Sequence, residues 1–278
     1  MRRSSLPSAK SLALTGVKTA AAVGDALRPP KRGVVVLIYH RVGRRTPVEV
    51  DLTADLFTRQ MELLAETERA CSLDRALAAL EQTAPSGPDP VVVTFDDGTA
   101  DFAEVAVPIL ARFSVPATLY VATDFIERGR PFPNDGVAVS WAALADTMAS
   151  GLVTVGSHTH THALLDRLPA GDIASELDRS IGLIGERLGV TAEHFAYPKA
   201  VPGSQAADSA VRSRFRSAAL AGTRTNRYGS TDPYRLARSP VQVADGMRWF
   251  GRKLAGGMAL EDGLRRLVNR GRYTGATT

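Results

Sequence analysis

The chain of 278 residues has one cysteine, Cys71, so it can form no intrachain disulfide and holds no cysteine-rich zinc site. That scarcity leaves the redox compartment open. Aromatic residues are 6% of the chain, and nothing interleaves them with basic residues in the manner of a nucleic-acid platform. The net charge of +5 collects near the two ends, in "MRR", Lys10, Lys18, "RPPKRG" and "RRLVNRGRY", where it reads as solvated surface with peripheral contact to an anionic membrane as the alternative. No run is long and apolar enough to span a bilayer. The N-terminal "SLALTGVKTAAAVGDAL" is broken by Lys18 and Asp25, which argues against a cleaved signal and predicts a short helix over residues 9–27. A cytoplasmic or membrane-peripheral location is therefore expected ahead of export. Oligomeric state is not readable.

What is present is a steady alternation. "GVVVLIYHRV", "VVVTFDD", "PATLYVATDF", "LVTVGSH", "HFAYP", "SAALAG" and "YRLARSPVQV" are short apolar runs of the kind covered on both faces, and segments of helical spacing separate them. "SLDRALAALEQ" carries Ser72 as its cap, and "DFAEVAVPILARFS" reads as a helix despite Pro108. About seven β/α units in one stretch predict an α/β fold, a distorted (β/α) barrel of about seven parallel strands in a single domain, with an open doubly wound sheet as the alternative. The expected boundaries are a basic, amphipathic extension and linker over 1–32, a barrel over 33–248 and a basic helical tail over 249–278.

In parallel α/β folds, functional groups gather at the carboxyl ends of the strands. Asp96, Asp97, His40, His158, Tyr197 and Pro198 all fall there. Only five histidines occur, and three of them, His158, His160 and His162, lie within five residues. On an extended backbone they share a face; if the chain turns after Thr159, His158 and His162 still converge from a loop. Two imidazoles and a carboxylate leave coordination positions open, as a catalytic metal requires. Two neighbouring aspartates cannot both point at one metal from regular strand geometry, so one would ligate and the other accept a proton.

"TFDDG", "GSHTHTH" and "FAYP" together resemble the polysaccharide deacetylases, also called carbohydrate esterase family four, from "LIYHRV" near residue 37 to "LARSPV" near residue 241. The resemblance implies that Asp96 is the catalytic base and that Asp97, His158 and His162 hold one divalent metal, zinc first, with cobalt, nickel or manganese as alternatives. It implies removal of N-acetyl groups from amino sugars of an oligo- or polysaccharide, with O-acetyl or other amide hydrolysis on the same site, or glycan binding without turnover, as rival readings. Where many members of the "FAYP" subgroup continue with Tyr-Gly, this chain has Lys199 and Ala200. The main-chain N–H of Lys199 can still serve the oxyanion. Arg238 in "LARSPV" is the candidate to orient Asp96. His40, His160, Tyr197 and Pro198 are expected to face substrate, while specificity lies in loops such as "RGRPFPNDGVAVS". The family's late histidine acid is missing, because no histidine follows His194. Proton delivery then falls to another group, to water or to Asp96 acting twice.

Overall fold

The computed structural model describes residues 9–83 and 86–263, with side chains from residue 16 onwards. The expected tail from residue 264 lies outside the described residues.

Seven strands run parallel and close into a barrel: β1 (Val35–Tyr39), β4 (Val91–Phe95), β5 (Ala117–Val121), β6 (Val153–Ser157), β7 (His194–Ala196), β8 (Ser217–Ala221) and β9 (Leu236–Pro240). Closure is made by Leu37 opposite Ser239 and Ile38 opposite Pro240. The seam between β6 and β7 is thin, with Ser157 opposite Phe195 as its paired position. Two short strands, β2 (Arg41–Val42) and β3 (Asp51–Leu52), pair with each other above β1.

Successive side chains on a strand point to opposite faces, and here one face meets helices and the other the barrel interior. Leu37, Val93, Phe95, Leu119, Val155 and Phe195 belong to the apolar layer under the helices. Val36, Val92, Tyr120, Ala196, Ala219 and Leu236 fill the interior. The same cluster includes Leu73, Ala76, Leu77 and Leu80 of α3 (Leu73–Leu80), so this helix plugs the N-terminal end of the barrel. Its first turn is capped as the sequence suggests, with the Ser72 side chain accepting from the Arg75 N–H.

The remaining helices surround the barrel: α2 (Ala54–Glu66), α4 (Val107–Arg112), α5 (Thr123–Glu127), α6 (Trp141–Met148), α7 (Ala170–Leu188), α8 (Gln205–Arg212) and α9 (Gly246–Leu254). Pro108 does not break the helix before β5. Instead, residues Phe102–Ala106 form a π-helical turn, with the Val107 N–H bonded to the Phe102 carbonyl, and α4 follows with the proline in its first turn.

Residues 9–27 form the expected helix, α1 (Ala9–Leu27). Lys18, counted above with the basic surface, is instead buried and ion-paired with Asp245, which also accepts from Lys253 at 2.8 Å. Asp25 accepts from the Met258 N–H at 2.7 Å. Helix α9 runs across position 248, the boundary expected from sequence, and buries Phe250 and Leu254 in the main core. Among the described residues, no helix is long and apolar enough to cross a membrane.

The interior leaves no room at Gly156, where a Cβ would meet the His194 carbonyl at 2.7 Å and the Tyr120 ring at 2.8 Å. Gly156→Ala is expected to cost about 1–3 kcal/mol through overpacking, read as a lowered urea midpoint.

Candidate active site

Alternation along β4 carries Thr94 and then Asp96 into the barrel, while Phe95 packs outward. On β9, the same rule points Arg238 inward. Its guanidinium donates to both oxygens of Asp96, at 2.6 and 2.8 Å, and to Thr94 Oγ1 at 3.1 Å. It also lies 5.1 Å from the centre of the Tyr120 ring. Arg238 is fully buried and Asp96 is 5% exposed. Burial alone would push the Asp96 carboxyl towards its neutral form. The positive charge of Arg238, with smaller effects from His158 and His40, outweighs it and holds the group below the ordinary carboxylate range.

The next residue leaves the strand pattern. Asp97 has φ of 77°, a left-handed conformation that turns its side chain away from that of Asp96, and Gly98 follows with φ of 100°. This turn lets two adjacent carboxylates face different partners. Asp97 Oδ1 is 3.4 Å from His162 Nε2 and 3.8 Å from His158 Nε2. Burial again opposes ionisation of Asp97, but contact with His162 and the charges of the surrounding imidazoles win, and its pKa falls well below the ordinary value.

The chain after β6 also turns, with Thr159 and His162 both at φ of 65°. The three histidines therefore do not share one face. His158 and His162 converge, their ring centres 4.9 Å apart. His158 Nδ1 lies 2.7 Å from the Ala196 carbonyl, which can only accept, so that nitrogen carries the proton and Nε2 presents its lone pair towards Asp97. Burial pushes the His158 pKa down to about 4, which keeps the ring neutral near pH 7.

Asp97, His158 and His162 fit a divalent cation. Their ligand atoms lie within 4.8 Å of one another; of the two Nε2–Oδ1 separations, 3.4 Å falls within the ~3.3–3.6 Å expected between ligands at tetrahedral zinc distances and 3.8 Å lies just beyond it. The donor set of two imidazoles and one carboxylate has the composition of a catalytic site with a position left for reactants.

Other expectations need correction. His160, expected to face substrate, is buried with Nδ1 2.9 Å from Thr123 Oγ1 and Nε2 3.7 Å from Asp124. It braces the loop against α5. Tyr197 is 2% exposed and packs edge-on against Phe195, 5.0 Å away, within the layer beneath the helices. The ring points outward because it follows the parity of Phe195, and burial raises its hydroxyl pKa to about 12. Pro198 is buried at the start of the turn Pro198–Ala200, in which Lys199 is exposed with φ of 52°. His40 does belong here: its charge acts on both aspartates, and its Nδ1 is buried without a hydrogen-bond partner.

Sequence reasoning missed Glu176 of α7. Its carboxylate accepts from the N–H groups of His160 and Thr161 and from the Thr161 hydroxyl, at 2.8–3.1 Å, and so fixes the histidine loop. No motif marks it, because the contact depends on how α7 crosses β6. Beside Asp97 and His162 lies a cavity of about 180 Å³, walled by Val48, Val50, Phe125, Phe132 and Arg41. Phe132 comes from the loop expected to set specificity and stacks on Phe125 at 4.3 Å. The Arg41 guanidinium is taken up by the carbonyls of Pro133 and Asn134.

Residues 83–217 match the polysaccharide deacetylase family. That stretch, just under half of the chain, is similar to a polysaccharide deacetylase domain. Among solved structures of similar fold, IcaB from Ammonifex degensii shares 26% identity over 80% of this chain and 98% of its own, with a TM-score of 0.70. The deacetylase PplD from Streptococcus pyogenes, in complex with acetate, shares 20% over 77% and 96% at 0.68. A de-N-acetylase from Aggregatibacter actinomycetemcomitans shares 20% over 79% and 99% at 0.66. No curated protein sequence matches the chain.

The Asp96–Arg238 pair yields a signed expectation. Because the folded pKa of Asp96 is lowered, the pair's stabilisation is present above the unfolded carboxylate pKa and lost as pH falls through the folded value. Arg238→Gln removes the main group that opposes the effect of burial, so the carboxyl pKa rises. The variant should lose about 3–5 kcal/mol at pH 7 by urea denaturation. The acid limb of its pH–rate profile should move to higher pH, and an unmoved limb would show that Arg238 does not control the ionisation of Asp96.

Proposed function

We propose that this deacetylase is metal-dependent and removes N-acetyl groups from the amino sugars of an oligo- or polysaccharide. The observation that carries the reading is the pair of adjacent carboxylates with divided surroundings: Asp96 clamped by a buried arginine, Asp97 facing two imidazoles. A divalent cation of the zinc type, held by Asp97, His158 and His162, would supply Lewis-acid polarisation of the amide carbonyl and activation of water.

Everything else falls to side chains and main chain of the protein. Asp96 Oδ1 and Oδ2 are kept ionised by Arg238, ready to accept the proton lost by water as it attacks. Arg238 fixes the plane of that carboxylate through two hydrogen bonds, so the base does not reorient during the step. The main-chain N–H of Lys199, on the same rim after β7, is assigned to the developing oxyanion. A lysine serves there as well as the tyrosine of related sequences, because the donor belongs to the backbone.

His40 fills the role left vacant by the missing late histidine. It ends β1, between Asp96's strand and Arg238's strand, and is the one imidazole acting on both aspartates without being a proposed ligand. Its free ring nitrogen can hand a proton to the departing amine. The cavity beside Asp97 and His162 accepts a neutral, partly apolar group, since its arginine is already satisfied by backbone carbonyls.

Three substitutions separate the roles. Asp96→Asn should keep stoichiometric metal and lose turnover about 10²–10⁴-fold on N-acetylglucosamine oligomers, measured as released acetate. His162→Ala should lose both the metal at this centre and turnover. His40→Gln should retain metal and lower kcat by a similar factor. Full activity in Asp96→Asn would overturn the mechanism, and an unchanged kcat in His40→Gln would return the proton-donor role to water or to Asp96.

A further inference from the structure

At the opposite end of the barrel from the catalytic rim, three residues converge that the reaction does not use. Asp74 lies in the first turn of the plug helix α3, Glu193 directly precedes β7, and His194 is its first residue. Their ligand atoms lie within 4.8 Å of one another. His194 is 1% exposed, yet its Nε2 is buried with no hydrogen-bond partner and sits 3.4 Å from Asp74 Oδ1. A buried imidazole nitrogen aimed at two carboxylates without a bond of its own requires a reason.

We propose that Asp74, Glu193 and His194 form a second divalent-cation site, of the zinc class, that ties the plug helix α3 to the first residue of β7.

The orientation of the imidazole supports it. His194 Nδ1 is 2.9 Å from Ser217 Oγ, which can accept its proton and leave the Nε2 lone pair facing the carboxylates. Burial lowers the pKa of this histidine more than Asp74 raises it, so the ring is neutral, as a ligand must be. The charge count also fits. Two carboxylates carry −2, and among the described residues the cation paired with both is Arg216, whose guanidinium lies 3.0 Å from Asp74 and 2.9 Å from Glu193. Arg216 gathers the two carboxylates around a single positive charge; a divalent ion in its place neutralises them fully.

The movement needed is small. Tetrahedral zinc distances separate ligand atoms by about 3.3–3.6 Å, so the most distant donors close by about 1 Å. Asp74, Glu193 and Arg216 side chains are each about half exposed and free to adjust, while the imidazole is fixed. Three protein donors leave a position for water, so the ion is exchangeable, and binding competes with Arg216 for the carboxylates.

The test is calorimetric titration of metal-stripped, full-length protein with Zn²⁺ alone. Two equivalents are expected in the unsubstituted chain and one in Asp74→Asn/Glu193→Gln, whose exposed substitutions leave the fold intact by circular dichroism and acetate release unchanged. With the catalytic ligands removed in Asp97→Ala/His162→Ala, one equivalent should remain. Adding Arg216→Ala to that background should tighten it several-fold, because a competitor is gone, whereas an ion-pair network with no metal function would gain no affinity. One equivalent in the unsubstituted chain, or an unchanged stoichiometry in Asp74→Asn/Glu193→Gln, would overturn the proposal.

Discussion

The bidentate pair between Asp96 and Arg238 is the constraint on which the rest of the catalytic rim depends. A carboxylate and a guanidinium out of water both carry a desolvation penalty of several kcal/mol, which only good geometry and saturated hydrogen bonding offset. The barrel supplies both. Arg238 finds two carboxylate oxygens, the Thr94 hydroxyl and the Leu220 carbonyl, and lies against the face of Tyr120. Parallel pairing of β4 with β1, and of β1 with β9, brings the two residues face to face across the interior. A shift of one residue on either strand would turn one partner into the helix layer and leave the other charge alone.

Ordered strands position this pair, and strained backbone positions the other half of the site. Asp97, Thr159, His162, Lys199 and Ala200 all have positive φ, which costs roughly 1–2 kcal/mol for each residue with a Cβ. Their concentration along the β4, β6 and β7 ends of the barrel means that packing elsewhere sustains them. Part of that support is visible. Glu176 bonds two consecutive N–H groups of the histidine loop, Ala196 orients His158, and Asp97's own carbonyl accepts from Ala122. The strain has a use: without the left-handed turn at Asp97, alternation would send its carboxylate outward, away from the imidazoles.

The barrel and most of the rim were legible in the sequence for the same reason. Alternating buried strands and helices, and polar residues where strands end, are local patterns, and Asp96, Asp97, His158, His162 and Arg238 all carry them. Tyr197 was misread because a strand-end position does not say which face a side chain takes; its parity with Phe195 places it outward. His160 was misread because the sequence left an extended backbone and a turn after Thr159 both open, and no glycine marks the turn that Thr159 and His162 make at positive φ. Lys18 read as a surface charge, since nothing near it in sequence announces Asp245 from 227 residues away. Glu176 was missed on the same ground. Long-range polar contacts depend on how elements cross, which periodicity does not encode.

The two ends of the barrel follow opposite logics. At the carboxyl end, charge is buried, and Asp96 and His158 are held by defined partners, Arg238 and the Ala196 carbonyl. At the amino end, α3 seals the interior with Leu73, Ala76, Leu77 and Leu80, and charge sits outside the seal on exposed side chains. Apolar contact is non-directional and holds the plug in place without fixing its rotation. Directional contacts at its rim are what define its register, and Asp74, in the first turn of α3, meets both Arg216 and His194 there. His194 leads the same strand whose last residue, Ala196, orients His158. With only three residues in β7 and a thin seam to β6, His194 at one end of the strand and the Ala196 carbonyl that orients His158 at the other belong to one short segment.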